Sequence, residues 1–495
     1  MATKTKNNAK KIGFLSVIIT VIGSAIGAGI FFKNNSILNN THGNMGLAIS
    51  SWAVAAIGIL AIGLALIEVA STQEKDKGIL GWAQKFTKIS VFKWSKGYML
   101  LLFFPITFVT IPLYAVMALQ DATGWTMDWW AVTLIAFAIF LWISLISFWN
   151  LKASTKLQWV FTILKFLPII LIPILGFVNV EHNHPTADAP VRGLTGLSPY
   201  LGVVASVPAI FFAYDGFYTV SSIKEEMAKP KLLPLALAIG VGAITSMYLL
   251  ITSGVLVGSQ HGGANVFDNK TFKVIMNSCI FMAVLGIVNG FAMGSYNVYD
   301  DYIEEDDFIF SNYFKKWKTK DIKVTKKLTL RGFTPGFIIL VLLTIVFFVI
   351  SAVVGSYAYK TTPNYESYGS KEIASLYNFV DLLTNWSSLL VFGVIVLSIV
   401  GALINRKTNK IKVEKSKLFI PSAIIAIIFT AIPVIYMLVA SIVDMTGFND
   451  ADKVSSITTF CVLIGTLTLS FIPWIIEVIC SKVKTKKELS KAQVE

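Results

Sequence analysis

The sequence predicts an all-α polytopic membrane protein with about twelve transmembrane helices. Of its 495 residues, 55% are hydrophobic and 14% are charged, whereas a soluble domain has about 25% charged residues. Apolar runs recur along the whole chain, each close to the roughly 20 residues that cross a bilayer. Two of these runs are interrupted by residues that disfavour helix.

The twelve runs define the predicted organisation of the chain. They cover approximately residues 12–38, 45–70, 94–119, 129–149, 155–178, 199–223, 233–257, 273–299, 334–356, 375–403, 418–441 and 455–479. The first run lacks a small-residue cleavage site, so we interpret it as a retained span. We expect tails at 1–11 and 480–495, a core at 12–403 made of 12–178 and 199–403, and two further helices within 404–479.

The net charge of +14 is unevenly distributed over the loops. If the N-terminus lies inside, the outside loops hold few basic residues: Arg192, Lys270, Lys360, Lys371 and Lys453. This bias predicts cytoplasmic termini in a cell membrane. The basic charge is therefore a topology signal, and no nucleic-acid partner is expected. The rarity of arginine relative to lysine suggests an AT-rich bacterial genome.

Motifs of enzymes and cofactor sites are absent from the sequence. The cysteines, Cys279, Cys461 and Cys480, lie in predicted spans or directly at the end of one, without paired spacing, and all four histidines fall in predicted outside loops. There is no H-E-x-x-H motif and no phosphate-binding G-x-x-x-x-G-K-[ST] motif. We expect no enzyme activity, no cofactor, no metal site and no ATP-driven pumping.

The first interrupted run contains "GSAIGAG", residues 23–29. Each glycine in a helix interior costs about 1 kcal/mol relative to alanine. Gly23 and Gly27 form a G-x-x-x-G pattern, which is typical of two closely packed membrane helices. Unwinding of the helix is the other interpretation, and this stretch alone does not decide between them.

The second interrupted run contains "FFAYDGFYTVSS", residues 211–222, with Asp215 and Gly216 at its centre. An acidic residue at this depth indicates a functional site. The two interrupted runs open two sets of five spans, which suggests an inverted repeat of spans 1–5 and 6–10. Interrupted helices at matching positions indicate a binding site at the membrane midplane.

Several stretches resemble the amino acid–polyamine–organocation (APC) transporter superfamily. "IGSAIGAGIFF" (22–32) resembles its first-helix signature, and "FFAYDGFYTVSSIKEEMAKPKLLPLALAIG" (211–240) resembles its sixth helix and the following loop. "LALIEVAS" (64–71) and "TILKFLPIILIPILG" (162–176) are similar to its second and fifth helices. The end of span 8 departs from the pattern, which usually has an arginine where Tyr296 or Asn297 stands.

The resemblance implies a LeuT-like core of five plus five helices, two additional helices, and amino acids or related amines as substrates. It implies that backbone amides of the first break bind the substrate carboxylate: Ser24, Ala25, Ile26, Gly27, Ala28 and Gly29. It also implies that carbonyls of the second break bind the substrate ammonium, near Phe212, Ala213, Tyr214 and Asp215. A broken helix exposes both kinds of backbone group.

The resemblance also assigns roles to side chains. Phe212 and Phe217 match aromatic gates, and Asn289 lies near a pocket position. Asp215 either contacts the substrate or bonds the amides around Gly216. Because pockets that hydrogen-bond a polar group discriminate sharply, Asp215 and Asn289 are the candidate specificity residues.

Lys165 lies near the centre of span 5, where a lysine costs at least about 2.5–3.5 kcal/mol. In the superfamily, a lysine here lies against the broken first helix. Burial disfavours its charged form, so Lys165 is a candidate for proton coupling. A permanently charged lysine that ties span 5 to carbonyls of span 1 is the alternative.

These observations predict a secondary active amino acid transporter that works by alternating access, with proton-coupled symport as the leading mechanism. Obligatory exchange is the alternative, and a channel or a nutrient sensor is less favoured. The expected partners are the amino acid substrate, the lipid bilayer and protons. The sequence predicts neither the amino acid nor the oligomeric state.

Overall fold

The computed structural model describes residues 13–72, 78–178, 191, 193–218, 227–258, 270–323, 329–359, 368–446 and 450–480. The predicted N-terminal tail, nearly all of the C-terminal tail and the end of the second interrupted run lie outside the described residues.

The described chain is almost entirely helical. Its helices are α1 Phe14–Ala25, α2 Gly29–Phe32, α3 Asn34–Asn40, α4 Met45–Val69, α5 Gly78–Phe86, α6 Ile89–Tyr98, α7 Phe104–Thr123, α8 Trp129–Trp149, α9 Leu151–Val178, α10 Gly193–Gly196, α11 Pro199–Tyr214, α12 Leu233–Gly258, α13 Lys270–Ala292, α14 Ser295–Glu304, α15 Ser311–Phe314, α16 Pro335–Val353, α17 Lys371–Thr408, α18 Phe419–Thr446 and α19 Asp450–Leu469. Short π-helical segments occur at Met99–Phe103 and Val354–Ala358, and 3₁₀ turns at Pro230–Leu232 and Lys315–Trp317.

One pair of two-residue strands interrupts the helical pattern. β1 (Ile322–Lys323) pairs antiparallel with β2 (Thr329–Leu330), and Ile322 lies opposite Leu330. The pair lies in the long loop that the sequence places between spans 8 and 9.

Within the described residues, ten helical segments are long and apolar enough to cross a membrane. Two apolar helices are shorter, Phe14–Gly23 and Pro199–Tyr214. These two belong to the spans in which the sequence predicts breaks. The all-helical, polytopic fold class is therefore confirmed, and the breaks explain why these two helices stop short.

The first break is shorter than the predicted stretch from Ser24 to Gly29. Helix α1 continues to Ala25, Ile26 is extended (φ −69°, ψ 109°), and α2 begins at Gly29. Backbone hydrogen bonds continue up to both sides of the break. The Ile26 amide donates to the Ile22 carbonyl (3.2 Å), and the Phe31 amide donates to the Ala28 carbonyl (3.0 Å).

The second break begins where α11 ends at Tyr214. Gly216 follows with φ 99°, a backbone conformation that glycine adopts without the steric cost other residues incur. The chain therefore turns away from the helix axis at the position where the sequence places Asp215 and Gly216.

Contacts between helices define two groups around the breaks. In the first group, α1 packs on α12, α12 on α4, and α4 on α11. In the second group, α7 packs on α8, α13 and α16. Helix α9 contacts both α12 and α13, and α17 contacts both α7 and α11. Both broken helices belong to the first group, and the second group faces them.

We call the end of the molecule with Gly13, Glu304 and Thr408 the near face. The end with Thr123 and Lys371 is the far face. Helices α1 and α7 run from the near face to the far face, and α17 runs in the opposite direction. These names carry no assignment to either side of a membrane.

Candidate functional site

The two breaks meet at the hydroxyl group of Tyr248. This group lies 3.2 Å from the carbonyl oxygen of Ala25 and 2.8 Å from that of Ala213. Tyr248 is fully buried on α12, where its ring packs edge-on against Trp52 and Tyr214. One side chain therefore supplies a donor to carbonyls that two interrupted helices leave behind.

Tyr248 was not among the residues that the sequence singled out. The only signal is a tyrosine within the apolar run of span 7. A buried tyrosine usually finds a partner for its hydroxyl. The sequence does not show that this partner is the backbone of both breaks.

The glycines of the first break lie in three different environments. A Cβ atom on Gly29 would lie 2.5 Å from the Cα atom of Ala213, so glycine permits the close approach of the two broken spans. A Cβ atom on Gly27 would lie 3.1 Å from Cδ1 of Ile287, the mobile end of a side chain. A Cβ atom on Gly23 would meet nothing within 4 Å. Packing thus accounts for Gly29 but not for Gly23.

A central cavity of about 70 Å³ lies between the two breaks. Among the predicted residues, its lining includes Ala25, Gly27, Ala28, Phe212 and Asp215. Helices α7 and α17 add five residues with hydroxyl side chains to the lining: Thr107, Thr110, Thr384, Ser387 and Ser388. The cavity therefore combines backbone of both breaks, one carboxyl group, several hydroxyl groups and three aromatic rings, those of Phe103, Phe212 and Phe291.

The two second-break side chains in this lining have defined partners. Asp215 accepts a hydrogen bond from the Tyr218 hydroxyl at 2.7 Å. The Phe212 ring lies 6.0 Å from the Tyr114 ring, between centroids, and the Lys33 ammonium lies 5.0 Å from the Phe212 centroid. Phe212 therefore separates the central cavity from a buried cation.

Other predicted residues lie away from this cavity. Phe217 is fully buried, with its ring stacked on Phe392 at a centroid distance of 6.2 Å. Tyr214 is also buried, and its hydroxyl lies 2.9 Å from that of Thr245. The described lining of the central cavity contains neither side chain.

Asn289 ties α13 to α9. Its amide nitrogen donates to the Ser154 carbonyl (3.0 Å) and to Oε1 of Gln158 (2.8 Å), and its Oδ1 accepts from the Ser154 hydroxyl (2.7 Å). The side chain is fully buried. Its neighbours along α13, Ile287 and Phe291, line the central cavity instead.

Lys165 lies on the near-face side of the first break. Its ammonium group donates to the carbonyl oxygens of Gly23 (2.7 Å) and Ile26 (3.3 Å). Among the described residues, no carboxylate oxygen lies within 4.0 Å of this ammonium group. The side chain is buried, and its hydrogen-bond acceptors are uncharged.

A larger cavity of about 450 Å³ adjoins Lys165. It shares Gly216, Ile287 and Phe291 with the central cavity and extends along α13 toward the near face. Gly290 and Gly294, which line it, are exposed. The structure therefore connects the breaks with the near face.

Lys33 lies on the opposite side of the first break. Its ammonium group donates to the Tyr114 hydroxyl (2.7 Å), to Oδ1 of Asp381 (2.8 Å) and to the Thr384 hydroxyl (2.9 Å). The Tyr114 hydroxyl also bonds Asp381. Lys33 is fully buried. The sequence shows a lysine in span 1, but the distant partners on α7 and α17 give it no recognisable motif.

Comparisons with known proteins identify the family. A family model described as "Amino acid permease" matches residues 12–467. The chain belongs to the amino acid permease family. This finding confirms the APC resemblance that the first and sixth helices indicated.

Relatives of the permease are found in bacteria and animals. An uncharacterized protein of Mycoplasma pneumoniae is 32% identical over 89% of this chain and 86% of its own length. The serine/threonine exchanger SteT of Bacillus subtilis is 26% identical over 52% of this chain and 57% of its own length. The mouse b(0,+)-type amino acid transporter 1 is 28% identical over 58% of this chain and 61% of its own length. The match thus spans less than two thirds of both transporters named here.

A solved structure shares the fold of the permease. The manganese transporter of Eremococcus coleocola, in a mutant form, matches with a TM-score of 0.52 over 93% of this chain and 95% of that chain, at 13% identity. This likeness concerns the fold alone. Among the described residues, no group of three or more His, Cys, Asp or Glu side chains forms a candidate metal site.

Proposed function

We propose that the permease is a secondary active transporter of amino acids that works by alternating access. The observation that carries this proposal is the cavity between the two helix breaks. The Tyr248 hydroxyl connects the two breaks, because it contacts a carbonyl oxygen of each. A midplane site between interrupted helices is the arrangement from which transporters bind and release substrate. The family and the names of its relatives support the same function.

In this proposal, the zwitterion lies across the central cavity. The backbone around Gly27 to Gly29 faces the carboxylate, because the start of a helix favours negative charge. The backbone around Phe212 to Asp215 faces the ammonium. The cavity is small and is lined by threonine and serine hydroxyls, so we expect small neutral amino acids to bind best.

Lys165 is the proposed coupling residue for proton symport. Its ammonium group contacts two uncharged carbonyls of the first break beside the larger cavity. Loss of its proton would leave no buried carboxylate unpaired among the described residues. It would also weaken the contact of α9 with the first break, because a neutral amine donates weaker hydrogen bonds than an ammonium group. Obligatory exchange is the second candidate, favoured by a relative that is named an exchanger.

We further propose that spans 1–5 and 6–10 are the two halves of an inverted repeat. On the bias of basic residues, we place both termini in the cytoplasm and the permease in the cell membrane. Protease protection of tags on each terminus in oriented vesicles tests the second point.

Uptake into proteoliposomes tests the function. A panel of the twenty amino acids competes for uptake of a labelled small amino acid, with and without an inward pH gradient and with and without internal substrate. Symport predicts concentrative uptake driven by the gradient. Exchange predicts uptake only into preloaded vesicles. Conductance that does not saturate indicates a channel, and binding without flux indicates a sensor; either result contradicts transport by alternating access.

A further inference from the structure

The far-face side of the first break is closed by a compact group of side chains. The Lys33 ammonium is the centre of this group, with oxygen atoms of Tyr114, Asp381 and Thr384 within 2.9 Å. The Phe32 ring stacks on the Tyr114 ring at a centroid distance of 5.0 Å. On the opposite side of the break, the larger cavity reaches exposed residues.

Lys33 connects helices that otherwise belong to different groups. It lies between α2 and α3, which continue the broken first span and pack on α11 and α12. Tyr114 belongs to α7 of the second group, and Asp381 belongs to α17. Separation of the first span from α7 and α17 on the far face would therefore break all three hydrogen bonds of one ammonium group.

The environment of the ion pair suits a contact that opens and closes. Lys33 has no exposed side-chain surface, and Asp381 has 17%. A buried ion pair contributes little net stability, because desolvation offsets most of the attraction. Loss of one partner is strongly unfavourable while the site stays buried, but water stabilises both charges once the site opens. The pair therefore stabilises the closed far face without preventing its opening.

Thr384 connects this group to the central cavity. Its hydroxyl accepts from Lys33 at 2.9 Å, and the same residue lines the cavity beside Phe212. The Lys33 ammonium also lies 5.0 Å from the centroid of the Phe212 ring. A substrate that contacts Thr384 or Phe212 would thus touch a direct neighbour of the ion pair.

From this geometry we infer that Lys33 and Asp381 form the far-face gate of the permease, and that Thr384 links the gate to occupancy of the central cavity. The inference rests on the proposed alternating-access function. It assigns Lys33 a role different from that of Lys165: closing one side of the site rather than coupling to protons.

Cysteine accessibility tests the gate without any substrate. In a background with Cys279, Cys461 and Cys480 replaced by alanine, single cysteines at Ala118 and Gly290 report on the two faces. Ala118 is buried one turn beyond Tyr114 on α7, toward the far face. Gly290 lines the larger cavity, and a Cβ atom there meets nothing within 4 Å. Labelling rates are measured with a polar maleimide on purified protein in detergent.

Lys33→Met is expected to raise the labelling rate at position 118 by at least about tenfold and to lower that at position 290. Asp381→Asn should change both rates in the same directions by less, because it removes the charge and keeps an acceptor. The double variant with the two charges swapped, Lys33→Asp with Asp381→Lys, should return both labelling rates toward those of the parent. Lys371→Met removes an exposed lysine from the start of α17 and should change neither rate.

A structural role gives different results. If both labelling rates rise together, or if neither changes, the pair is not a gate. If Lys33→Met does not give monodisperse protein, Asp381→Asn carries the test. If neither variant does, the pair is a structural tie, and the inference is overturned.

The link through Thr384 has its own readout. The amino acid that competes best in the uptake panel should slow labelling at position 118 in the parent and in Thr384→Ser, which keeps the hydroxyl. Thr384→Val should abolish this slowing; if the slowing persists, the link is absent. If no amino acid competes in the panel, the proposed function fails, whereas the substrate-free labelling result still stands by itself.

Discussion

Two buried lysines lie on opposite sides of the first helix break, and their partners differ. Lys165 faces the carbonyl oxygens of Gly23 and Ile26 beside a cavity of about 450 Å³. Lys33 faces a carboxylate, two hydroxyls and two aromatic rings in a closed site. The two ammonium groups therefore lie on different sides of the site, one beside an open cavity and one in a closed group of side chains. Its role follows from the acceptors that the fold brings to it.

The glycines of the first break show the same gradient. Space around them decreases from Gly23 through Gly27 to Gly29, from the near face toward the far face. The break is thus open on the side of Lys165 and closely packed on the side of Lys33.

The largest effect is expected from alanine substitution along this gradient. Gly29→Ala places a Cβ atom 2.5 Å from the backbone of Ala213, so it should abolish transport and cost about 1–3 kcal/mol or more. Gly27→Ala meets only a mobile Ile287 side chain, and should weaken substrate binding without unfolding the protein. Gly23→Ala should retain stability. Thermal unfolding and uptake are measured for the three variants, and the losses should decrease from position 29 through 27 to 23. Equal losses at all three positions would contradict the proposed decrease in space along the break.

Lys165→Met should lower the uptake driven by an inward pH gradient at least about tenfold, because it removes the ammonium group that we propose as the proton carrier. Uptake into preloaded vesicles without a pH gradient, which measures exchange, should be reduced by less. Lys152→Met, which removes an exposed lysine from the same helix, is the matched control. A full response to the gradient in Lys165→Met would show that this lysine is a structural tie.

Tyr248→Phe should reduce stability by about 1–3 kcal/mol, because buried carbonyl oxygens at both breaks lose a donor. Tyr214→Phe is the comparison, since its hydroxyl contacts the Thr245 hydroxyl rather than the breaks. Unfolding temperatures and uptake rates are measured for both. A larger loss in Tyr214→Phe would contradict the bridging role of Tyr248.

Asn289→Ala separates specificity from structure. The amide group of Asn289 is hydrogen-bonded to Ser154 and Gln158. Because the substitution removes these bonds, we expect a stability loss of about 1–2 kcal/mol. We expect no change in the order in which amino acids compete for uptake. The competition panel supplies this measurement. A changed order would restore Asn289 as a specificity residue.

The smallest effect is expected at a near-face ion-pair cluster outside the breaks. Asp307 contacts the ammonium groups of Lys93 (2.5 Å) and Lys96 (2.8 Å), and Lys93 also contacts Glu477 (2.9 Å). Burial opposes ionisation of Asp307, but hydrogen bonds and positive charge from both lysines outweigh it and lower the pKa of this carboxyl. Its stabilising contribution is therefore present at neutral pH.

Asp307→Asn should cost about 1 kcal/mol or less at pH 7. Because the folded-state pKa lies below that of an unfolded aspartate, the difference from the parent should shrink as pH falls below about 4. Unfolding in detergent across this pH range measures it. A difference that grows toward low pH would contradict the depressed pKa.

Some of the candidate site was predictable from the sequence because its signals are local. The glycines of 23–29 and the pair Asp215–Gly216 disfavour helix wherever they occur, so they mark both breaks. Lys165 stands out because a lysine is costly at that depth. The positions of Phe217 and Asn289 were not predictable in this way, since a motif match does not tell which side of a helix faces the cavity.

The sequence by itself determined the all-helical, polytopic fold class, the two breaks and the family, because bilayer thickness sets the length of each apolar run and helix propensity acts over neighbouring residues. Only the tertiary structure decided which groups meet at the breaks. Lys33 and Asp381 are 348 residues apart in the chain, and Tyr248 reaches carbonyls of two different spans. Such contacts depend on helix packing and on the need to pair each buried polar group, and neither is encoded in a local pattern.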